Sequence, residues 1–129
     1  MTPLHIPASA SSPDIEFSPE QRLLSIKGEA YPENAAAFWG EIIQAIQSFL
    51  DTDNSKEPIQ LDIALTYFNS SSTKMLFSLF DAFNEKAASG VPVFLNWFHD
   101  AEDDTIYEFG QELSEDFTHL TFLDHALQG

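Results

Sequence analysis

Two kinds of hydrophobic spacing alternate along the second half of the chain, and this alternation constrains the fold most. Residues 59–65 carry an apolar side chain at every second position, as in a strand with one buried face. In residues 76–87 the apolar positions recur every three or four residues, which predicts an amphipathic helix. Residues 91–98 predict a further strand, residues 106–117 a third helix, and residues 120–123 a last strand.

The first half of the chain adds a hairpin and another helix. Short apolar segments at residues 15–17 and 22–26 flank the sequence Ser-Pro-Glu-Gln, which predicts a β-hairpin. Pro32 begins a segment with helical spacing that continues to Leu50. The predicted order is β-β-α-β-α-β-α-β, an α/β fold with a mixed, mostly parallel sheet and three main helices.

Length and composition fit one folded domain. A chain of 129 residues lies within the usual range for a single domain, and 43% of these residues are hydrophobic, including 12 Phe. Residues 1–13 are rich in Pro, Ser and Ala, so we expect a flexible N-terminal arm there. Residues 14–129 are expected to form the domain.

The charge of the chain restricts its partners, and the absence of cysteine restricts its chemistry. The chain has 21 acidic and five basic residues, a formal net charge of -16, so nucleic acid is a poor partner and a basic protein surface a natural one. Without cysteine there is no thiol nucleophile and no cysteine-based zinc site.

No signal peptide and no apolar run near the ~20 residues that span a bilayer is visible, so we expect a cytoplasmic protein without membrane insertion.

The most informative local feature is Asn-Ser-Ser-Ser-Thr at residues 69–73, between a predicted strand and a predicted helix. Loops at the carboxyl ends of such strands commonly carry function, and a phosphate there would meet helix N–H groups. Asn, Ser and Thr are also ordinary helix caps and turn residues, so capping alone explains the segment as well. The segment lacks the P-loop pattern and predicts no nucleotide site.

Other patterns suggest binding more than catalysis. Residues 100–116 carry eight acidic side chains, and no Lys or Arg follows Lys86. This is typical of a solvated helix face or of a docking surface for a basic partner, and an EF-hand calcium pattern is absent. His99 and Asp100 could form an acid–base pair in a small enzyme, although adjacent residues of a strand point to opposite faces. We therefore expect no catalytic residue, no metal and no cofactor.

Several segments, taken together, resemble one known family. They are Leu-His-Ile-Pro at residues 4–7, Gly-Glu-Ala-Tyr-Pro-Glu-Asn at 28–34, Leu-Asp-Ile at 61–63, Tyr-Phe-Asn-Ser-Ser-Ser at 67–72, and His-Asp at 99–100 before an acidic helix. The Tyr-Pro-Glu-Asn and Asn-Ser-Ser-Ser segments are fairly specific in this order and at this separation. Over nearly its whole length, the chain resembles the SiaC-type regulatory phosphoproteins of bacteria.

The resemblance implies a fold similar to that of the anti-sigma factor antagonist (STAS) domain and a role that is not enzymatic. In this family, a partner kinase phosphorylates one hydroxyl in the loop before the second helix, and a PP2C-type phosphatase removes the phosphate. The unphosphorylated form binds a diguanylate cyclase and promotes cyclic di-GMP synthesis, which favours biofilm formation.

The resemblance also implies particular site residues. The phosphorylation position falls on Ser70, where Thr is common in the family, and Ser71 is the second choice. The candidates for partner binding lie beside this position and before the first helix: Asn69, Ser72, Tyr31, Glu33 and Asn34.

The alternative function is a small acidic secretion-type chaperone or scaffold, which would bind an unfolded segment and present a self-complementary dimer surface.

Overall fold

Strands and helices alternate along the chain as the hydrophobic spacing predicts. The computed structural model describes residues 3–128. The elements in chain order are β1 (Leu4–Ile6), β2 (Asp14–Ser18), β3 (Leu23–Ala30), α1 (Ala35–Thr52), β4 (Ile59–Phe68), α2 (Ser70–Ala88), β5 (Val93–Asp100), α3 (Asp104–Asp116) and β6 (Thr121–Leu127).

The six strands form one mixed sheet whose spatial order follows the chain, β1-β2-β3-β4-β5-β6. β2 lies between β1 and β3 and is antiparallel to both, whereas β3 to β6 run parallel. Each crossover advances by one strand in the same direction, and such crossovers are right-handed. The three helices consequently lie on one face of the sheet.

The core lies between the helices and that face of the sheet. Buried side chains alternate along the central strands, as Leu61, Ile63 and Leu65 do on β4. Both tryptophans, Trp39 on α1 and Trp97 on β5, are fully buried. In the part of the chain that the structure describes, no helix is long and apolar enough to cross a membrane.

A polar side chain caps the start of each helix. Asn34 accepts a hydrogen bond from the backbone N–H of Ala37, and Asn69 and Asp103 cap α2 and α3 in the same way. The predicted start of α1 at Pro32 is therefore three residues too early, because Asn34 is its cap. Gly90 ends α2 with φ near 110°, a backbone conformation that side chains disfavour.

An ion-pair cluster fixes the edge of the sheet where the parallel strands begin. Arg22 holds the Asp53 carboxylate through two hydrogen bonds of 2.6 and 2.9 Å, and Lys86 approaches it to 3.4 Å. The hydrogen bond from Arg22 outweighs burial and lowers the pKa of Asp53 to about 2. Two of the five basic side chains are thus committed far from the acidic segment after β5.

The N-terminal segment differs from the sequence prediction. Leu4–Ile6 pairs with β2, and Leu4 and Ile6 pack against the core, so the order contains one strand more than predicted. The predicted arm at residues 1–13 is therefore partly an edge strand of the sheet. Its three-residue length and flanking prolines hide the strand in the sequence. Met1 and Thr2 of the arm, and Gly129 at the end of the predicted domain, lie outside the described residues.

Candidate phosphorylation and partner-binding site

The predicted site residues come together because β3 and β4 are parallel neighbours. Their carboxyl ends share one edge of the sheet, and each is followed by a helix after a segment of one to four residues. The backbone N–H of Asn69 donates to the carbonyl of Ala30 at 3.1 Å, which joins the two strand ends. The segments before α1 and α2 therefore lie side by side at this edge.

The three consecutive serines at the start of α2 have different environments. Ser70 and Ser71 are the first two residues of the helix and are exposed to solvent. The Asn69 side chain accepts a hydrogen bond from the N–H of Ser72 at 2.9 Å, so it orders this turn. The N–H groups of Ser70 and Ser71 belong to the first turn, which has no carbonyl partner within the helix.

Ser72 is a core residue. It is fully buried, and its hydroxyl accepts a 3.0 Å hydrogen bond from the indole N–H of Trp39. Ser72 is therefore inaccessible to a partner protein in this structure, which argues against its predicted role in partner binding. Its hydroxyl links α2 to α1 by accepting the hydrogen bond of the buried Trp39 indole.

The segment before α1 combines exposed and structural side chains. Tyr31 is 39% exposed, and its hydroxyl donates to the carbonyl of Ala10 at 2.7 Å. Glu33 and Asn34 are both exposed, and Asn34 also uses its side-chain oxygen to cap α1. Tyr31 and Glu33 are accessible to a partner protein beside Ser70.

Tyr67 is an exposed neighbour that the sequence analysis did not select as a binding candidate. It is 51% exposed, and its ring packs edge-on against that of Tyr31 at a centroid distance of 5.8 Å. The pairing register between β3 and β4 shifts at Gly28/Glu29, which reverses the inward–outward alternation at the end of β4. As a result, Phe68 packs inward on Phe109 and Tyr67 faces solvent. We call Tyr31 and Tyr67 the tyrosine pair.

His99 lies on β5 and is part of a hydrogen-bonded network. Its Nδ1 is 2.9 Å from the carbonyl oxygen of Asp100, and its Nε2 is 2.9 Å from a carboxylate oxygen of Asp124. Burial of the ring lowers the pKa of His99, but the two hydrogen bonds and the nearby negative charges of Asp124 and Asp103 together raise it by more, so the net shift is upward. Both ring nitrogens face acceptors, which leaves neither available as a general base for a substrate.

One group of side chains among residues 3–128 has donor atoms close enough to share a metal ion: His5, Asp14 and Glu16. The Nε2 atom of His5 lies 3.2 Å from Asp14 and 3.5 Å from Glu16. All three side chains are at least one-third exposed, and the ring already bonds to Asp14. They lie on β1 and β2, away from the serines of α2.

Comparisons with known proteins agree with this architecture. A family model described as SiaC family regulatory phosphoprotein matches residues 6–127. A protein of Pseudomonas aeruginosa (strain UCBPP-PA14), described as uncharacterized, is 34% identical over 116 residues, which cover 90% of each chain.

Solved structures match over nearly the whole chain. The crystal structure of apo-SiaC from Pseudomonas aeruginosa has a TM-score of 0.89 and 33% identity, covering 98% of this chain and 100% of that one. A second match is SiaC in a crystal structure of the diguanylate cyclase SiaD with its activator SiaC, from the same organism. Its TM-score is 0.88 at 33% identity, over 96% of this chain and 99% of that one.

These matches refine the sequence prediction of the fold. Both solved structures contain SiaC, so the SiaC fold describes this chain, which has three strands before its first helix, better than the broader STAS-like label. The family match spans all six strands except the first residues of β1. The chain belongs to the SiaC family of regulatory phosphoproteins.

Proposed function

We propose that this protein is a phosphorylation-switched activator of a diguanylate cyclase. The unphosphorylated form binds the cyclase and raises cyclic di-GMP synthesis, which favours biofilm formation. A partner kinase phosphorylates Ser70, a PP2C-type phosphatase reverses this, and the protein itself catalyses no reaction. The system operates in the cytoplasm. The observation that carries the proposal is the match to SiaC, described as the activator of SiaD in their complex, over 96% of this chain.

The environment of Ser70 supports its role as the phosphate acceptor. Its side chain is exposed at the first position of a capped helix, where a kinase can reach it without unfolding the domain. A phosphate group there gains from the positive end of the helix dipole and the free N–H groups of the first turn. Phosphorylation is thus compatible with the fold, and its effect is exerted on the partner.

Ser71 is the second choice for the acceptor. It is also exposed, and its position one residue further along α2 points its hydroxyl to a different side of the helix. The neighbouring Ser72 is buried, which removes it from consideration. Ser70 follows the capping residue directly and is three residues after Tyr67 of the tyrosine pair, so we favour it.

The tyrosine pair supplies a docking surface beside the switch. Tyrosine is enriched among the residues that dominate protein–protein binding energy, because its ring covers a large area and its hydroxyl can still form hydrogen bonds. Tyr31 and Tyr67 are exposed together, and Tyr67 is three residues before Ser70. We propose that the cyclase packs on this pair and on the exposed Glu33.

Charge explains how phosphate would release the partner. A phosphoserine adds about 1.5 to 2 negative charges at neutral pH, on a chain whose net charge is already -16. An interface that closes over Ser70 would have to bury this charge or face it with acidic groups, and either is unfavourable. The partner therefore dissociates without refolding of the domain.

Variants at the two exposed serines test the proposal. Purified Ser70→Ala and Ser70→Asp proteins are titrated into the cognate diguanylate cyclase, and binding and cyclic di-GMP formation are measured. We expect Ser70→Ala to bind and activate, and Ser70→Asp to do neither. Ser71→Ala and Ser71→Asp are the matched controls. Equal binding by both Ser70 variants would exclude Ser70 as the switch, and loss confined to Ser71→Asp would transfer the role to Ser71.

A further inference from the structure

The sheet is split near the carboxyl ends of its two central strands. β4 and β5 pair from Ile59/Val93 to Ile63/Trp97 and not beyond. After this point β4 stays paired with β3 as far as Phe68, whereas β5 stays paired with β6 to its last residue. A cleft of about 950 Å³ lies at this split, between the strand ends and the start of α3.

The cleft has two chemically different parts. Apolar side chains contribute to its lining from three strands, among them Leu65, Phe98 and Leu127. Acidic residues at the end of β5, in the following turn and at the start of α3 also line it, and they are Asp100, Glu102, Asp103 and Asp104. The cleft therefore offers both apolar surface and several negative charges within one concave site.

Nothing in the described chain neutralises these carboxylates with a Lys or Arg. The salt bridges of Arg22 and Lys86 are with Asp53 at the opposite edge, and no Lys or Arg follows Lys86 in the sequence. Asp100 and Asp103 accept backbone N–H groups of their own turn, which fixes their positions and leaves their charge in place. His99 also lines the cleft, but its two ring nitrogens face the Asp100 carbonyl and the Asp124 carboxylate and not the side-chain carboxylates of the cleft.

We propose that this cleft is a docking site for an arginine or lysine side chain carried on an exposed segment of a protein partner. Such a side chain has an apolar stem and a cationic head, so it matches both parts of the cleft at once. A free metal cation would satisfy the carboxylates only, since it has no apolar part to cover Phe98 and Leu127. The net charge of -16 would also accelerate the approach of a basic segment.

This docking site is independent of the switch at Ser70, and its test uses neither cyclase nor kinase. Amide NMR spectra of the nitrogen-labelled protein are recorded while acetyl-Leu-Arg-Leu-amide is added at about 0.15 M salt, which screens long-range attraction. The comparison peptide carries citrulline, a neutral analogue, in place of arginine. We expect the amide resonances of residues 64–66, 98–100 and 103–106 to shift until the site is saturated. The citrulline peptide should bind about fivefold more weakly than the arginine peptide.

A pair of charge-matched variants locates the binding. Glu102→Gln with Asp104→Asn removes two charges that line the cleft, whereas Glu112→Gln with Glu115→Gln removes two exposed charges further along α3. We expect the first variant to bind the arginine peptide about fivefold more weakly and the second to bind it like the unmodified protein. Equal weakening in both variants, equal binding of the citrulline peptide, or no shifts at the cleft would each overturn the proposal.

Discussion

The hydrogen bond between Trp39 and Ser72 predicts that substitution by alanine lowers the stability of the protein at Ser72 but hardly changes it at the adjacent Ser70 and Ser71. In Ser72→Ala the indole N–H of Trp39 loses its acceptor in a fully buried position. An unpaired buried donor costs about 1–3 kcal/mol, and the better helix propensity of Ala returns about 0.5 kcal/mol. We expect a net loss of about 1–2 kcal/mol in the free energy of unfolding, or about 3–10 °C in Tm.

Equilibrium unfolding in urea, followed by tryptophan fluorescence, measures this loss because both tryptophans are buried. Ser70→Ala and Ser71→Ala are the matched controls, since their side chains are exposed and such substitutions change stability by less than about 0.5 kcal/mol. The reasoning is refuted if Ser72→Ala is as stable as these two controls. If the prediction holds, the serines divide into a structural one and two available for the switch.

Two further predictions concern an ion pair between two strands and a close contact between a helix and the sheet. The raised pKa of His99 means that its protonation stabilises the fold below about pH 6.5, and that this contribution is lost as the pH rises through the folded-state value. Tm measured against pH should therefore fall more steeply above about pH 6.5 in the unmodified protein than in Asp124→Asn, and parallel profiles would contradict the assignment. A Cβ at Gly110 would lie 2.6 Å from the ring of Trp97, so Gly110→Ala should destabilise by about 1–3 kcal/mol. Gly40→Ala, with no atom within 4 Å of the new Cβ, should instead stabilise by up to about 1 kcal/mol in the same urea titration, and similar effects of the two would argue against the close contact.

The sequence predicts the parallel part of the fold well because spacing there reports directly on burial. Alternating apolar residues at 59–65 become the buried face of β4, and the helical spacing at 76–87 becomes the buried face of α2. β1 escapes the prediction because three residues are too few to show a period. Its pairing depends on the neighbouring strand β2 and not on any local pattern.

The site is harder to predict than the fold, for reasons that specific residues illustrate. Ser72 resembles its neighbours in the sequence, and only the position of Trp39, 33 residues earlier, makes its hydroxyl structural. Tyr67 continues the apolar alternation of β4 and would be predicted to face inward with Leu65. The register shift between β3 and β4 turns it outward, and the sequence gives no direct sign of that shift apart from Gly28.

The most direct test of the central claim compares defined phosphorylated forms of the protein. Phosphoserine is introduced at position 70 or at position 71, and each form is titrated into the cognate diguanylate cyclase by calorimetry, with cyclic di-GMP formation measured in parallel. Our account predicts that the unphosphorylated protein binds and activates, and that phosphoserine at position 70 weakens binding at least about tenfold, the factor that ~1.4 kcal/mol gives. Full binding and activation by the protein phosphorylated at position 70 would contradict the account.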